Sequence, residues 1–112
     1  MSKATYEGLK EADGRRPFVI TRACYAGTQK YSTVWTGDNQ SLWAHLRMAV
    51  PQLCNLGMSG IAFAGTDVGG FGADCTPELM CRWVQVGAFS PLFRNHSSMG
   101  STFQEPLSEF CR

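Results

Sequence analysis

The sequence predicts an α/β fold in which a parallel sheet is covered by helices, either as an open doubly wound sheet or as a β/α barrel. Three observations predict it. The strand-like runs are apolar at successive positions rather than at alternate ones, as strands buried on both faces are. They alternate with stretches of helical periodicity. Arg22, Asp38, Asp67 and His96 each fall at or just past the C-terminal end of a strand-like run. In parallel α/β folds the loops converge at that edge, and sites are built there.

In chain order, residues 2–13 carry Ala4, Tyr6, Leu9 and Ala12 at roughly helical spacing, and Gly14 stands where a left-handed cap would end the helix. Gly14-Arg15-Arg16-Pro17 breaks the chain. Phe18-Val19-Ile20-Thr21 is a β-branched and aromatic run that predicts a strand buried on both faces. A loop from Ala23 to Lys30 pivots on Gly27, and Tyr31 to Trp35 forms a second strand. Ser41 is the expected N-cap of a long helix with Leu42, Trp43, Leu46, Ala49, Val50, Leu53 and Leu56 on its buried stripe. Pro51 should kink that helix or split it, and Gly57 should close it. Gly60 to Gly65 reads as a third strand, and Val68-Gly69-Gly70-Phe71-Gly72 as a loop. Thr76-Pro77-Glu78 opens the next helix with a cap, a proline at the first helical position and an acid where the helix dipole favours one. Its stripe is Leu79, Met80, Trp83, Val84 and Gly87, and the tryptophans on helical stripes, Trp43 and Trp83, are expected in the core. Beyond Ser97 the pattern fades.

Composition removes several functions. The 112 residues suit one small domain, and 44% apolar content with only 17% charged residues supports a core rather than disorder. A formal charge of +1 without a Lys/Arg cluster offers no handle for nucleic acid or for an anionic membrane. Neither is an expected partner. The five cysteines form an odd set without a C-x-x-C pair, which predicts free thiols and a cytoplasmic setting. The N-terminus has no apolar leader pattern, and no run is long enough to span a bilayer.

The chemistry centres on Val34-Trp35-Thr36-Gly37-Asp38-Asn39: an apolar plate, a flexible turn and a carboxyl group able to pass a proton, the parts of a carbohydrate site. Taken singly, an aspartate after a glycine is ordinarily a turn residue, and Arg22 and His96 are ordinary loop charges. An arginine, two aspartates and a histidine at one mouth can instead bind sugar hydroxyls by charge-assisted hydrogen bonds, with Trp35 and Phe71 as apolar walls. Other chemistries fit less well. The glycine run lacks a G-x-G-x-x-G register and a following lysine, G-x-S-x-G is absent, and no local H-x-x-x-H or H-x-E spacing supports a metal. No cofactor is called for.

Arg16-Pro17-Phe18-Val19-Ile20-Thr21-Arg22, Trp35-Thr36-Gly37-Asp38-Asn39, Gly65-Thr66-Asp67-Val68-Gly69-Gly70-Phe71 and Phe93-Arg94-Asn95-His96, in this order, resemble the catalytic barrel of family 31 glycoside hydrolases, the α-glucosidase family. The resemblance reaches Gln104-Glu105-Pro106. It implies about three to four βα units of a (β/α)8 TIM barrel over residues 1–106, with 107–112 a tail that resembles a truncation. It implies that Asp38 is the general acid/base and that Arg22 contacts the sugar and the catalytic carboxylates. Asp67 would line the pocket for the sugar being cleaved, with Arg94 paired to it, Phe71 and Trp35 as walls and His96 bonding to sugar hydroxyls.

Residue chemistry alone would pair Asp38 with Asp67 as the two carboxylates. The resemblance implies otherwise: these enzymes retain configuration, and their nucleophile is an aspartate of a Trp-x-Asp-Met-Asn-type motif on an earlier strand. No such motif occurs in the 112 residues. The expectation is therefore the acid/base half of a retaining α-glucosidase acting on oligosaccharides, inactive as an isolated chain, with unpaired barrel edges that invite self-association. The alternatives are an α-xylosidase or transglycosylase of the same family, or a noncatalytic carbohydrate-binding remnant.

Overall fold

The computed structural model describes residues 1–105. Helix α1, Ser2–Asp13, ends as expected, on Gly14 at φ 67 with its N–H donating to the Lys10 carbonyl at 2.8 Å. It buries none of its side chains, and Tyr6 meets Tyr31 edge-on with ring centroids 5.8 Å apart. Strand β1, Ile20–Thr21, pairs in parallel with β2, Thr33–Trp35, and β2 pairs in parallel with β3, Ala64–Gly65. Between β2 and β3 runs helix α2, Trp43–Met58. Strand β4, Asp67–Val68, follows β3 after the single residue Thr66 and pairs in parallel with β5, Arg94–Asn95. Helix α3, Pro77–Gly87, makes that second crossover.

The one-residue step at Thr66 makes 64–68 a single path that lies beside β2 at its start and beside β5 at its end. The Leu92 N–H, donating to the Ala64 carbonyl at 3.2 Å, ties the approach of β5 to the same path. Two apolar clusters seat the helices. Val34, Ile61 and Ala64 are buried against α2, and Leu46, Val68, Cys75, Leu79, Met80 and Trp83 are buried where α3 meets the sheet. Trp83 is fully buried, and its indole N–H donates to Thr66 Oγ1 at 2.9 Å, so the largest core side chain also grips the step between β3 and β4.

Several sequence expectations are corrected. Phe18 is 63% exposed and outside β1, because β1 is an edge strand with β2 on one side and no described strand on the other. Ser41 does not cap α2: Leu42 stands at the cap, while the Ser41 hydroxyl donates to the Ala73 carbonyl at 3.2 Å. Only Leu46 and Ala49 of the α2 stripe are buried, and Leu42, Trp43 and Val50 are exposed, so Trp43 is not a core residue. Pro51 lies inside one uninterrupted helix. Pro51 and Arg47, whose carbonyl loses its donor, are both exposed, so the unpaired carbonyl is open to solvent rather than buried. That helix runs past Gly57 to Met58. The third strand is shorter than residues 60–65, and Val68 is a strand residue rather than part of the glycine loop. The start of α3 matches expectation, with Thr76 Oγ1 accepting from the Leu79 N–H at 3.3 Å. Cys24, Cys54, Cys75 and Cys81 are free, and the expected tail at 107–112 lies outside the described residues. Among those residues no helix is long and apolar enough to cross a membrane.

Two glycines test this packing in opposite directions. A Cβ on Gly65 would stand 2.0 Å from the Leu92 carbonyl oxygen, whereas one on Gly57 in α2 meets nothing within 4 Å. Gly65→Ala is expected to lower stability by about 1–3 kcal/mol, as overpacking against backbone does, and Gly57→Ala to raise it by about 0.5–1 kcal/mol through helix propensity. Urea denaturation of the two variants beside the parent chain measures both signs.

Candidate active site

The residues at the loop edge form three associations. In the first, Arg22 just after β1 donates from Nη1 to Asp38 Oδ2 at 3.3 Å. Gly37 makes this possible: its φ is 88, and a Cβ there would lie 2.7 Å from Arg22 Nε, so the guanidinium lies over a residue that has no side chain. The Asp38 side chain is 49% exposed.

The second association is buried. Asp67 and Arg94 are register partners across β4 and β5, and Arg94 donates from both Nε and Nη2 to Asp67 Oδ1, the Nε contact at 3.1 Å. Asp67 is 0% exposed. Burial is the largest influence on its carboxyl and pushes it above the ordinary 3.8, against the downward pull of Arg94 and of His96, and with a smaller upward push from the Asp38 charge. The Arg94 guanidinium also sits over the Trp35 ring, 5.5 Å from its centroid, so its charge is held between a carboxylate and an aromatic face.

In the third, Phe71 and His96 stack with centroids 5.2 Å apart and planes at 29°. The backbone laces these groups into one edge. The Asn39 carbonyl accepts from the Phe71 N–H at 2.7 Å and from the Gly72 N–H at 3.1 Å, and the Ser41 N–H donates to the Gly72 carbonyl at 2.7 Å. Thr36 Oγ1 donates to Asn39 Oδ1 at 2.8 Å, which orients the amide between the two loops. All seven residues singled out in the sequence thus enter one of three contacts at the same edge. Asp67 lies within β4 rather than past the end of a strand, which is why it is sealed while Asp38 is open.

Comparison with known proteins then decides the family. The family model described as "Glycosyl hydrolases family 31 TIM-barrel domain" matches residues 1–109. The chain belongs to glycosyl hydrolase family 31. It is 55% identical over 107 residues to "Alpha-glucosidase 2" of Bacillus thermoamyloliquefaciens, covering 95% of this chain and 14% of that protein. Among solved structures, a family 31 α-glucosidase from Bacteroides thetaiotaomicron superposes with a TM-score of 0.89 at 44% identity, over 96% of this chain and 18% of that one. A family 31 α-xylosidase from a soil metagenome, complexed with xylose, superposes with a TM-score of 0.79 at 38% identity, over 86% and 15% respectively. The chain therefore spans less than a fifth of these family members.

Some of the supporting residues carry no motif of their own. Asn39 acts through its backbone carbonyl as much as its amide, and Thr66 matters because Trp83, far along the chain, bonds to it. Gln104 is buried and donates from Nε2 to the Gly70 carbonyl at 3.0 Å. An apolar groove between α2 and α3, lined by Leu46, Val50, Leu53, Val86 and Phe89, lies on the helix side, away from these groups. Among the described residues no group of three or more His, Cys, Asp or Glu is placed to hold a metal ion.

The two perturbed aspartates should titrate on opposite sides of 3.8. Asp74 accepts from the Thr102 N–H at 2.7 Å and from Thr102 Oγ1 at 2.9 Å, which holds its carboxyl below the ordinary value. Its contribution to stability is present above pH 3.8 and is lost as pH falls through its folded pKa. Asp67 has the opposite sign: its folded pKa is raised, so its contribution diminishes as pH rises from 3.8 through the folded value. Carboxyl-carbon NMR titration is expected to place the Asp74 midpoint below 3.8 and that of Asp67 above it. A midpoint for Asp67 lower than that of Asp74 would contradict this account of its burial.

Proposed function

We propose that this segment supplies the acid/base half of the active site of a retaining α-glucosidase that removes terminal α-linked glucose from oligosaccharides. The observation that carries the reading is the contrast between the two aspartates: Asp67 is 0% exposed with Oδ1 engaged twice by Arg94, and the side chain of Asp38 is 49% exposed. A group that protonates a leaving oxygen and then takes a proton from water must reach both. Asp38 can; Asp67 cannot. Arg22, on Asp38 Oδ2, orients the carboxyl and keeps its other oxygen available to the substrate.

In this reading Asp38 donates its proton to the glycosidic oxygen as the bond breaks, and in the second step it accepts a proton from the water that releases the sugar. Arg94, held by the buried Asp67, forms the floor of the sugar pocket, His96 bonds to hydroxyls, and Trp35 and Phe71 bound the sugar face. The nucleophile is an aspartate elsewhere in the whole protein, since a retaining pair must stand about 5–5.5 Å apart across the sugar, and Asp67 is committed to Arg94. The segment is three to four βα units of an eight-unit barrel, whose other units cover the free edges of β1 and β5; the isolated chain, with those edges open, is prone to self-association. The odd cysteine set without a C-x-x-C pair is what supports a reducing, cytoplasmic setting in this reading.

Glucose is favoured over xylose by the greater likeness to the α-glucosidases, at 55% and 44% identity against 38% for the α-xylosidase. Three measurements check the reading. The isolated 112-residue chain releases no glucose from maltose or a nitrophenyl α-glucoside. In the full-length enzyme, Asp38→Asn lowers kcat on maltose by at least about 100-fold, the lower range of a general acid's contribution. The full-length enzyme is expected to prefer α-glucosides to α-xylosides in a substrate panel. Glucose release by the isolated chain, or an Asp38→Asn enzyme with normal turnover, would refute the assignment.

A further inference from the structure

Gln104 is 3% exposed, and nothing in the acid/base chemistry uses it. Its contacts nevertheless converge on the sugar pocket. The side chain reaches back 34 residues to donate from Nε2 to the Gly70 carbonyl at 3.0 Å, while its own backbone carbonyl accepts from Asn95 Nδ2 at 2.7 Å. Gly70 immediately precedes Phe71, and Asn95 lies between Arg94 and His96. The turn at Gly69 and Gly70, with φ of 92 and 88, is built for this approach: a Cβ on Gly69 would stand 2.4 Å from Gln104 Oε1. The turn therefore needs glycine there, and the glycine leaves room for the amide.

We propose that Gln104 is a positioning residue for sugar binding. Its side-chain amide holds the turn bearing Phe71 while its backbone carbonyl is held by Asn95, between Arg94 and His96, and the amide so keeps the Phe71–His96 stack in register. The role rests on the functional reading above, which places Phe71 and His96 in the sugar pocket. Phe71 has other anchors, its N–H on the Asn39 carbonyl and its carbonyl on the Ser98 N–H at 2.8 Å, but neither links it to β5 itself. Gln104 does so from beyond the strand pairing, its buried side chain holding the turn at Gly70 and its backbone carbonyl holding the Asn95 amide.

The donor is what matters, so the test varies the donor while keeping the shape. In the full-length enzyme, Gln104→Leu keeps the volume and removes the donor. Gln104→Glu also removes it at neutral pH, where an ionised carboxyl would face the Gly70 carbonyl, but restores it on protonation, and burial together with that carbonyl raises the pH at which protonation occurs. Gln104→Leu is expected to raise KM for maltose roughly 3- to 10-fold, the range one neutral hydrogen bond supports, with kcat changed less, and the increase should not vary with pH. Gln104→Glu should show an equal or larger KM increase at neutral pH that shrinks relative to wild type as pH falls. Amide hydrogen exchange gives a readout independent of activity: Phe71 and Gly72 should exchange faster in Gln104→Leu, with the amides of α3 unchanged. Wild-type KM in both variants, a defect in Gln104→Glu that does not respond to pH, or unaltered exchange at Phe71 and Gly72 would overturn the proposal. If Gln104→Leu fails to fold, the pH response of Gln104→Glu decides alone. A wild-type enzyme without glucosidase activity would count against the functional reading, and the exchange result would still judge the role of Gln104.

Discussion

The geometry of the site depends on one buried ion pair. Asp67 and Arg94 face each other across β4 and β5, and the whole second half of the chain, through α3, serves to bring those two strands side by side. Charge attraction is opposed here by the cost of burying a carboxylate, which raises the Asp67 carboxyl while Arg94 lowers it. The effect of the pair is positional. Once Arg94 is clamped to one oxygen of Asp67 and placed over Trp35, β2 of the three-stranded sheet is tied to the β4–β5 pair, and the residues that follow these strands are brought to a common edge. A carboxylate can be kept in such a place only because a guanidinium with a rigid fork of donors reaches it, and a lysine would bring a single point charge instead.

Packing beneath the pair makes the arrangement stiff. Trp83 fills the space under α3 and holds Thr66 by its indole N–H, at the residue where the 64–68 path leaves β2 and takes up β5. Gly65, next to it, allows the Leu92 backbone to come close. The consequence is that Asp67 has little freedom to turn outward, and its sealed position follows from the core rather than from the loop.

The parts of this design that the sequence makes legible are those that depend on neighbours in the chain. Gly14 as a left-handed cap and Thr76-Pro77 as a helix start are local geometry, and both stand as expected. The placing of Arg22, Asp38 and His96 after strands was legible because a parallel sheet has one functional edge. What was not legible depends on distant partners. Ser41 has the chemistry of an N-cap but bonds to Ala73 across the fold, and Trp43 sits on an apolar stripe that lacks a described neighbour to cover it. The Val68 strand hides in a glycine-rich run because its partner, Asn95, is far along the chain. Gln104 is a lone polar residue near the end of the pattern, and only the fold shows that it is buried.

The two aspartates show how environment divides labour between identical side chains. Both arise in short polar steps after apolar runs, and by residue type either could be an acid, a base or a nucleophile. The sheet separates them. Asp67 lies within a strand, so its neighbours are a register partner and a core: Arg94 holds Oδ1, and Oδ2 is buried with no hydrogen-bond partner among the described residues. Asp38 lies three residues beyond β2, across Gly37, so its carboxyl has one arginine contact and open solvent. A proton donor needs that second setting, because a carboxyl sealed in the core cannot both reach a leaving oxygen and exchange its proton with water. The displacement of a few residues along a strand is thus enough to make one aspartate a structural floor and the other a candidate for chemistry.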